Sequence, residues 1–575
     1  MTRSLATSLS AGLLLLTAAA GSTSAQQNGP PPVPILPEAR QDTARALPDT
    51  ATKRESLPPL ALPDIVVFGR SGTTVREGSK LFPAEKRTVL DREVAAPEGE
   101  KGISGAGLGG GRQLAVRERI PGPNRARLFT RLGTYGEAIG GLDFWRYLNR
   151  TQLITRIEVR GTGGHTEQSA ALGGAGRLSV VHPLSAFTDL RVRAGYGIGR
   201  QQEWSALAPT DAERVWYRGS YSADLESMPT RGLTLSLGAG GRHAGLTDEV
   251  RVPGTVLEPA SNGGWASAGL EWMRGRVLIT ARGEAERDLL RRPGEDQDVS
   301  LASARLGVRT LTGEAGSFML GAALYHVDAG LGPATRVWPV AEFTSQYSER
   351  FSMFARYEPH MYYDPLGEAR EENPFAASSF KVVPSEERFH LTVGVHYALT
   401  PRTTLRFEVG RRLYDRLPFW RPAPATDIGH EGLFVLGQRA GAALSETRVT
   451  LEGRPGPVTV FDGEVILRVP GGEGIQEIPH MARFEASGGL EVQGPWSIGL
   501  ETRLRYLGER YSTVSGDPAS RIEPAADLGV RASRALSGGS TLWLELRNIL
   551  DQEMVLWQGY PLPGRTLALG ISVRF

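Results

Sequence analysis

From about Arg125 to the last residue, apolar and polar side chains alternate in segments of roughly 10–13 residues, parted by turn-forming residues. Successive side chains of an extended chain leave on opposite faces, so a period of two means strand. In residues 151–160, Leu153, Thr155, Ile157 and Val159 share one face, while Arg156, Glu158 and Arg160 share the other. In 189–199, Leu190, Val192, Ala194, Tyr196 and Ile198 oppose Arg191, Arg193 and three glycines. Leu405, Phe407 and Val409 oppose Arg406 and Glu408, and the final segment sets Leu567, Leu569, Ile571, Val573 and Phe575 on one face. Soluble sandwiches alternate too, but their strands average about five or six residues. These segments are about twice as long, which suits a tilted strand crossing a bilayer. Their polar faces carry the charge and glycine expected of a water-filled lumen.

The segments number about 22, and the connections between them alternate in length. Asn149–Arg150, Val181–Pro183, Arg454–Pro455 and Val492–Pro495 read as short turns, whereas 201–211, 246–261, 359–385, 415–442 and 509–523 read as long loops. Short turns at one end and long loops at the other are the habit of outer-membrane barrels. The expected fold is therefore all-β: a transmembrane antiparallel β-barrel of about 22 strands over 125–575, preceded by a disordered Pro-rich arm. Trp145, Tyr147, Trp204, Trp216, Trp265, Trp272, Trp338, Trp496 and Trp557 fall mostly near strand ends and are expected to form interfacial girdles.

Residues 1–25 read as a secretory signal, with Arg3 in the charged region, an apolar core from Leu13 to Ala20 and a cleavage site at Thr23-Ser24-Ala25. Residues 26–63 hold nine prolines and few large apolar groups, so they should stay extended in the periplasm. Asp64-Ile65-Val66-Val67-Phe68, within 64–70, is a β-prone island in that arm. It can add a strand to a partner's sheet edge or pack against the body of the protein. Residues 71–124 are polar and glycine-rich, and read as a linker.

Other classes are excluded by what is missing or balanced. With no cysteine there is no disulfide framework, thiolate metal site or cysteine nucleophile. The 65 basic and 63 acidic side chains leave a net charge of +2, so no footprint for nucleic acid exists and no such partner is expected. Only five of the basic residues are lysines, and the arginines lie beside glutamates on the same strands, so they can neutralise as well as select. No metalloprotease, nucleophile-elbow or EF-hand motif occurs, and the nine histidines show no ligand spacing. No enzymatic activity, cofactor or metal is expected.

The end of the chain supplies a resemblance. Leu546-Arg547-Asn548-Ile549-Leu550-Asp551, then Gly559-Tyr560-Pro561-Leu562-Pro563-Gly564-Arg565 and a last strand ending at Phe575, resembles the C-terminal signature of TonB-dependent outer-membrane receptors. The island Asp64–Phe68 is similar to the segment with which those receptors engage the inner-membrane energy transducer. The resemblance implies that Phe575 is read by the barrel assembly machinery, that Asp64 to Phe68 dock the transducer, and that a solute crosses the outer membrane. The departure is a missing plug: only about 55 residues separate Gly69 from Arg125. The expected function is thus a receptor-like barrel for solute uptake or binding, with a plug reduced or absent. The alternative is a non-transporting structural or surface-binding module, or a passive porin-like channel. A wide barrel needs a closure, supplied either by 71–124 in the lumen or by loops such as 359–385.

Overall fold

The computed structural model describes residues 125–575, apart from 166–168, 203–212, 250–255, 293–294, 313–315, 331, 380, 425–431 and 537–538. The expected signal, the Pro-rich arm, the island Asp64–Phe68 and the linker 71–124 lie outside the described residues.

The alternating segments form one antiparallel sheet of 25 strands. Three short strands, Val256–Leu257, His360–Tyr362 and Phe434–Arg439, are appendages of loops, and removing them leaves 22 staves. Each stave pairs with its neighbours in sequence, and the ring closes where Arg125–Gly133 meets Thr566–Arg574, from Arg127 opposite Arg574 to Gly133 opposite Ala568. Two backbone bonds of 3.0 Å between Ala126 and Phe575 finish the seam. Closure leaves the wall no free edge, which bilayer hydrocarbon would not tolerate.

The two faces of the wall differ as the alternation requires. Leu128, Leu132, Leu142, Ile157, Val159, Leu237, Val337 and Leu569 are exposed, whereas Arg127, Arg131, Asp143, Glu158, Asp288 and Glu501 are buried. An apolar outside around a charged inside is the inverse of a soluble protein, and fits a wall seated in lipid. The protein is a transmembrane β-barrel.

Two short turns fall later than expected. Val181–Pro183 lies inside the strand Ala171–Ser185, and the chain reverses at 186–187, where Ser185 Oγ accepts the Phe187 N–H at 3.1 Å. Arg454–Pro455 likewise lies inside Ala442–Gly456, with the reversal at 457–458. In both cases proline suggested a turn but occupies the end of a strand, where ladder pairing is already lapsing. Several staves also outrun the expected length, most of all Thr403–Pro422, which leaves the ring and pairs with Phe434–Arg439 as a projecting hairpin.

The expected aromatic girdles need correction. Trp145 and Tyr147 share the parity of Asp143, Trp216 that of Arg218, and Trp265 lies opposite the lumenal Glu286, so these rings face inward. Trp338 packs on Tyr325 inside the wall, and Gly199 is bare because a Cβ there would sit 2.6 Å from the Trp216 ring. Trp557 is buried in a loop. Among the described members of the expected set only Trp272 and Trp496 are outward, at 40% and 79% exposure, joined near the short turns by Phe187, Tyr347 and Tyr397. Trp204 lies outside the described residues.

Candidate lumen gate at the barrel mouth

Many of the described lumenal arginines sit beside carboxylates. Residues two apart on a strand point the same way, and this chain uses that spacing to pair charges. Arg156 meets Glu158 at 3.1 Å, Arg503 meets Glu501 at 2.6 Å, Arg547 meets Glu545 at 2.5 Å, and Arg448 meets Glu446 at 3.0 Å. Cross-strand contacts extend the pattern: Arg309 to Glu342 at 2.9 Å, and Arg468 to both Glu446 at 3.0 Å and Glu485 at 2.8 Å. Arg242 is the densest node, bonding Asp288 at 3.0 Å through Nε and reaching Glu286 at 3.1 Å. These pairs neutralise much of the described lumenal charge, while Arg218 also has Arg160, Arg177 and Arg370 as neighbours. Of the two readings open in the sequence, this geometry favours neutralisation over a field for anions.

At the long-loop end, residues 358–384 are rooted between the thirteenth stave, Phe351–Tyr357, and the fourteenth, Ser385–Thr400. They reach the sixth and seventh, Glu213–Thr230 and Leu233–Glu249, across about a third of the ring. A short helix, Leu366–Glu372, makes that reach, with Pro365 before its first turn, and places side chains by helical spacing. Leu366 and Ala369, three apart, are buried, while Glu368 and Glu371, also three apart, meet wall arginines: Glu371 pairs with Arg218 and Glu368 lies 3.8 Å from Arg242. Arg214, fully buried, donates to the Pro374 carbonyl at 3.0 Å.

An apolar cluster lies beneath this crossing. Met361, Tyr363, Leu366, Ala369, Ala376, Val382, Trp420, Phe434, Trp557 and Tyr560 pack with Leu290, Val299 and Val327 from the tops of the staves. Phe375 stacks on Tyr560 with ring centres 3.5 Å apart, and the Tyr560 hydroxyl donates to the Gly432 carbonyl at 3.0 Å. Several of the longest loops thus share one core over the mouth. Of the two closures considered from sequence, loop 359–385 is the one that the described residues contain.

The C-terminal motif residues lie in this assembly. Asn548 donates through Nδ2 to the Gln552 carbonyl at 2.8 Å and the Pro563 carbonyl at 3.3 Å, and accepts from the Gln552 N–H at 3.1 Å. It thereby ties both legs of the last long loop. Gly559 has φ +86°, which an L side chain adopts poorly, and it turns the chain to aim Tyr560 into the core. The Pro561 carbonyl accepts from the His165 ring at 2.8 Å. Gly564 leaves room beside Asp551, whose Oδ1 accepts the Arg565 N–H at 2.8 Å, while Arg565 Nε donates to the Ile549 carbonyl at 3.2 Å. Phe575 is 69% exposed at the far end of the last stave, on the outward face.

Residues that the sequence did not connect also meet here. His360 and His390, separated along the chain by the whole loop, approach the buried carboxylate of Glu387 at its neck, at 3.4 and 3.3 Å. The triplet Glu387-x-x-His390 was visible in sequence, but its partner His360 becomes a neighbour only when the two legs of the loop pair, with His360 opposite Glu387.

A closed 22-strand ring with short turns at one end, inward-packed loops at the other and a charged lumen defines a large transmembrane β-barrel with a loop-packed mouth. No family model matches the chain, and no curated protein matches its sequence. Solved structures match its fold. The copper transporter OprC aligns over 79% of this chain and 81% of its own, with TM-score 0.63 and 11% identity. The siderophore receptor PiuA from Acinetobacter baumannii aligns over 79% and 82%, at TM-score 0.63 and 10% identity. The FrpB iron transporter from Neisseria meningitidis gives 79% and 82%, at 0.63 and 9%. The chain has a TonB-dependent receptor-like fold.

Proposed function

We propose that this chain is an outer-membrane receptor-like barrel that takes up or binds a solute, with its own long loops as the gate. The observation that carries this reading is the anchored crossing of loop 358–384, held by Glu371 to Arg218 and by the shared core around Tyr560. A passive channel has no use for a mouth packed in this way. The similar structures are a copper transporter, an iron transporter and a siderophore receptor, which supports a small metal-bearing solute as the cargo class. Asp64 to Phe68 would dock the energy transducer from the periplasm, and Phe575 would be read by the assembly machinery. The reading assigns the chain no catalytic chemistry.

The second reading, a surface-binding module that never opens, is favoured by the same packed loops. Single-channel conductance separates the two, with the mature protein compared with a version starting at Arg125 and with Glu368→Lys/Glu371→Lys. A gate predicts a quiet mature protein and a conducting double variant. Silence in all three supports the binding module, and equal conductance in all three supports a passive channel. If the mature protein is quiet and only the shortened one conducts, residues before Arg125 act as a reduced plug. Val66→Pro removes a backbone donor from the island, and unchanged uptake in that variant would end the coupling idea.

A further inference from the structure

The neck of loop 358–384 carries a group of side chains that neither the receptor reading nor the lumenal charge pattern uses. Its two legs pair in register, His360 opposite Glu387, Met361 opposite Glu386 and Tyr362 opposite Ser385, and the Glu358 N–H donates to the His390 carbonyl at 2.9 Å. This pairing fixes three donor atoms together. Glu387 Oε2 lies 3.4 Å from His360 Nδ1 and 3.3 Å from His390 Nδ1, and one ligand atom from each of the three residues falls within 4.8 Å of the others. Glu387 is 2% exposed, and its Oε2 makes no hydrogen bond of ordinary geometry.

These separations are longer than ordinary N–H···O bonds, which cluster at about 2.7–3.2 Å. They equal the edge of a tetrahedron whose centre lies about 2.0–2.1 Å from each corner, roughly 3.3–3.4 Å, the bond lengths of zinc to imidazole and carboxylate. Two of the three edges are already of that length. The third, between the two imidazoles, is the one left to adjust, and His360 is the most exposed of the three.

We infer that His360, Glu387 and His390 form a binding site for a divalent first-row transition-metal ion, which clamps the two legs of the lid loop. Two imidazoles and one carboxylate suit zinc, cobalt or iron and disfavour calcium and magnesium, which prefer all-oxygen sets. Solvent completes the coordination. The surrounding groups set the cost. His390 Nε2 lies 3.3 Å from the Arg412 Nε–H and 3.4 Å from Thr392 Oγ1, and His360 Nδ1 lies 3.3 Å from the Glu358 carbonyl. In the metal-free protein His390 accepts from Arg412, so its proton sits on Nδ1 facing Glu387. Metal entry at Nδ1 takes the opposite tautomer, in which that same proton sits on Nε2 and faces Thr392 Oγ1, with no net release. Arg412 keeps the nearby carboxylates of Glu387 and Glu446. The site stands on the geometry of the loop neck alone, whether or not a solute crosses the lumen.

The test uses the full mature protein in detergent, stripped with a chelator and titrated with Co2+, whose tetrahedral complexes absorb strongly in the visible. One equivalent is expected to bind, to be displaced by Zn2+ and to resist excess Mg2+ or Ca2+. His360→Gln and His390→Ala should each weaken binding by about 100-fold or more, while His326→Ala, away from the site, leaves it unchanged. His360→Gln alters a partly exposed side chain and keeps the barrel folded, so its result is readable even if a Glu387 variant misfolds. Zn2+ should also slow proteolysis within 358–384 in the wild type and not in His390→Ala. Absence of bound Co2+, indifference to both histidine variants, or equal displacement by Mg2+ overturns the site. Binding with no change in proteolysis overturns the clamp.

Discussion

Asn548 has φ +46°, in the left-handed region that an asparagine tolerates better than most residues, and its amide spans the loop from Gln552 to Pro563. Replacing it with alanine removes both donors and keeps the strained backbone. Asn548→Ala should cost about 1–3 kcal/mol, read as a lower unfolding midpoint with earlier cleavage inside 549–564. Asn548→Gly relieves the backbone, and should lie between the two. The lumenal pairs allow a sharper expectation. Asp288 is almost fully buried against Arg242 and also accepts from the Tyr363 hydroxyl at 2.6 Å. Asp288→Asn removes the closest charge partner of Arg242 and leaves Glu286 and the more distant Glu368, a loss of about 1–3 kcal/mol, and should lower the temperature at which the barrel loses its compact mobility on a detergent gel. At this scale the sequence is readable where chemistry repeats at a spacing of two, as with Arg156/Glu158 and Arg503/Glu501. Tryptophan was misread because nearness to a strand end gives height in the wall and not the face. Parity held the answer: Trp145 and Tyr147 alternate in step with Asp143 and belong inside. His360 and His390 were invisible as a pair, since no local period links two positions that a folded loop brings together.

The loops behave as one element, and His480 is a handle on them. Its ring lies 4.6 Å from that of Trp557 and 5.2 Å from that of Phe434, in the loop 472–483. Burial, followed by the charge of nearby Arg510, lowers its pKa from 6.5 to about 3, against a smaller raising contact with the Trp420 backbone. A histidine kept neutral by packing binds fewer protons closed than open, so its contribution is complete above about 6.5 and is lost as pH falls toward 3. Acidification from pH 7 to 4 should therefore loosen the loop core, raising solvent quenching of Trp420 and Trp557 before the strands unfold. His480→Phe should abolish that early step, and an unchanged acid response in this variant would refute the assignment. Staves were legible to within a few residues because each must bury one face and show the other. Turns were less so. Pro183 and Pro455 break a ladder without reversing the chain, and the projecting hairpin of Thr403–Pro422 is held by contacts with other loops that no strand pattern contains.

As a whole the molecule is a ring whose charges cancel locally and whose ends meet. The fold class was legible from period, length and connection alternation together, since no single one of them separates a barrel from a sandwich. The seam itself was not, because Arg127 and Arg574 are partners across 447 positions, 574 minus 127. Removing Thr566–Phe575 should yield no heat-modifiable barrel at all, whereas Phe575→Ala, which keeps every ladder bond of the stave, should fold in detergent and fail mainly during insertion in cells. The seam also orders events in time. A ribosome releases the first stave long before its partner exists, and the sheet grown meanwhile ends in two bare edges that lipid cannot accept. Something must hold those edges apart from each other and from other chains until the last ten residues arrive, so the final word of the message decides whether everything translated before it is kept or discarded.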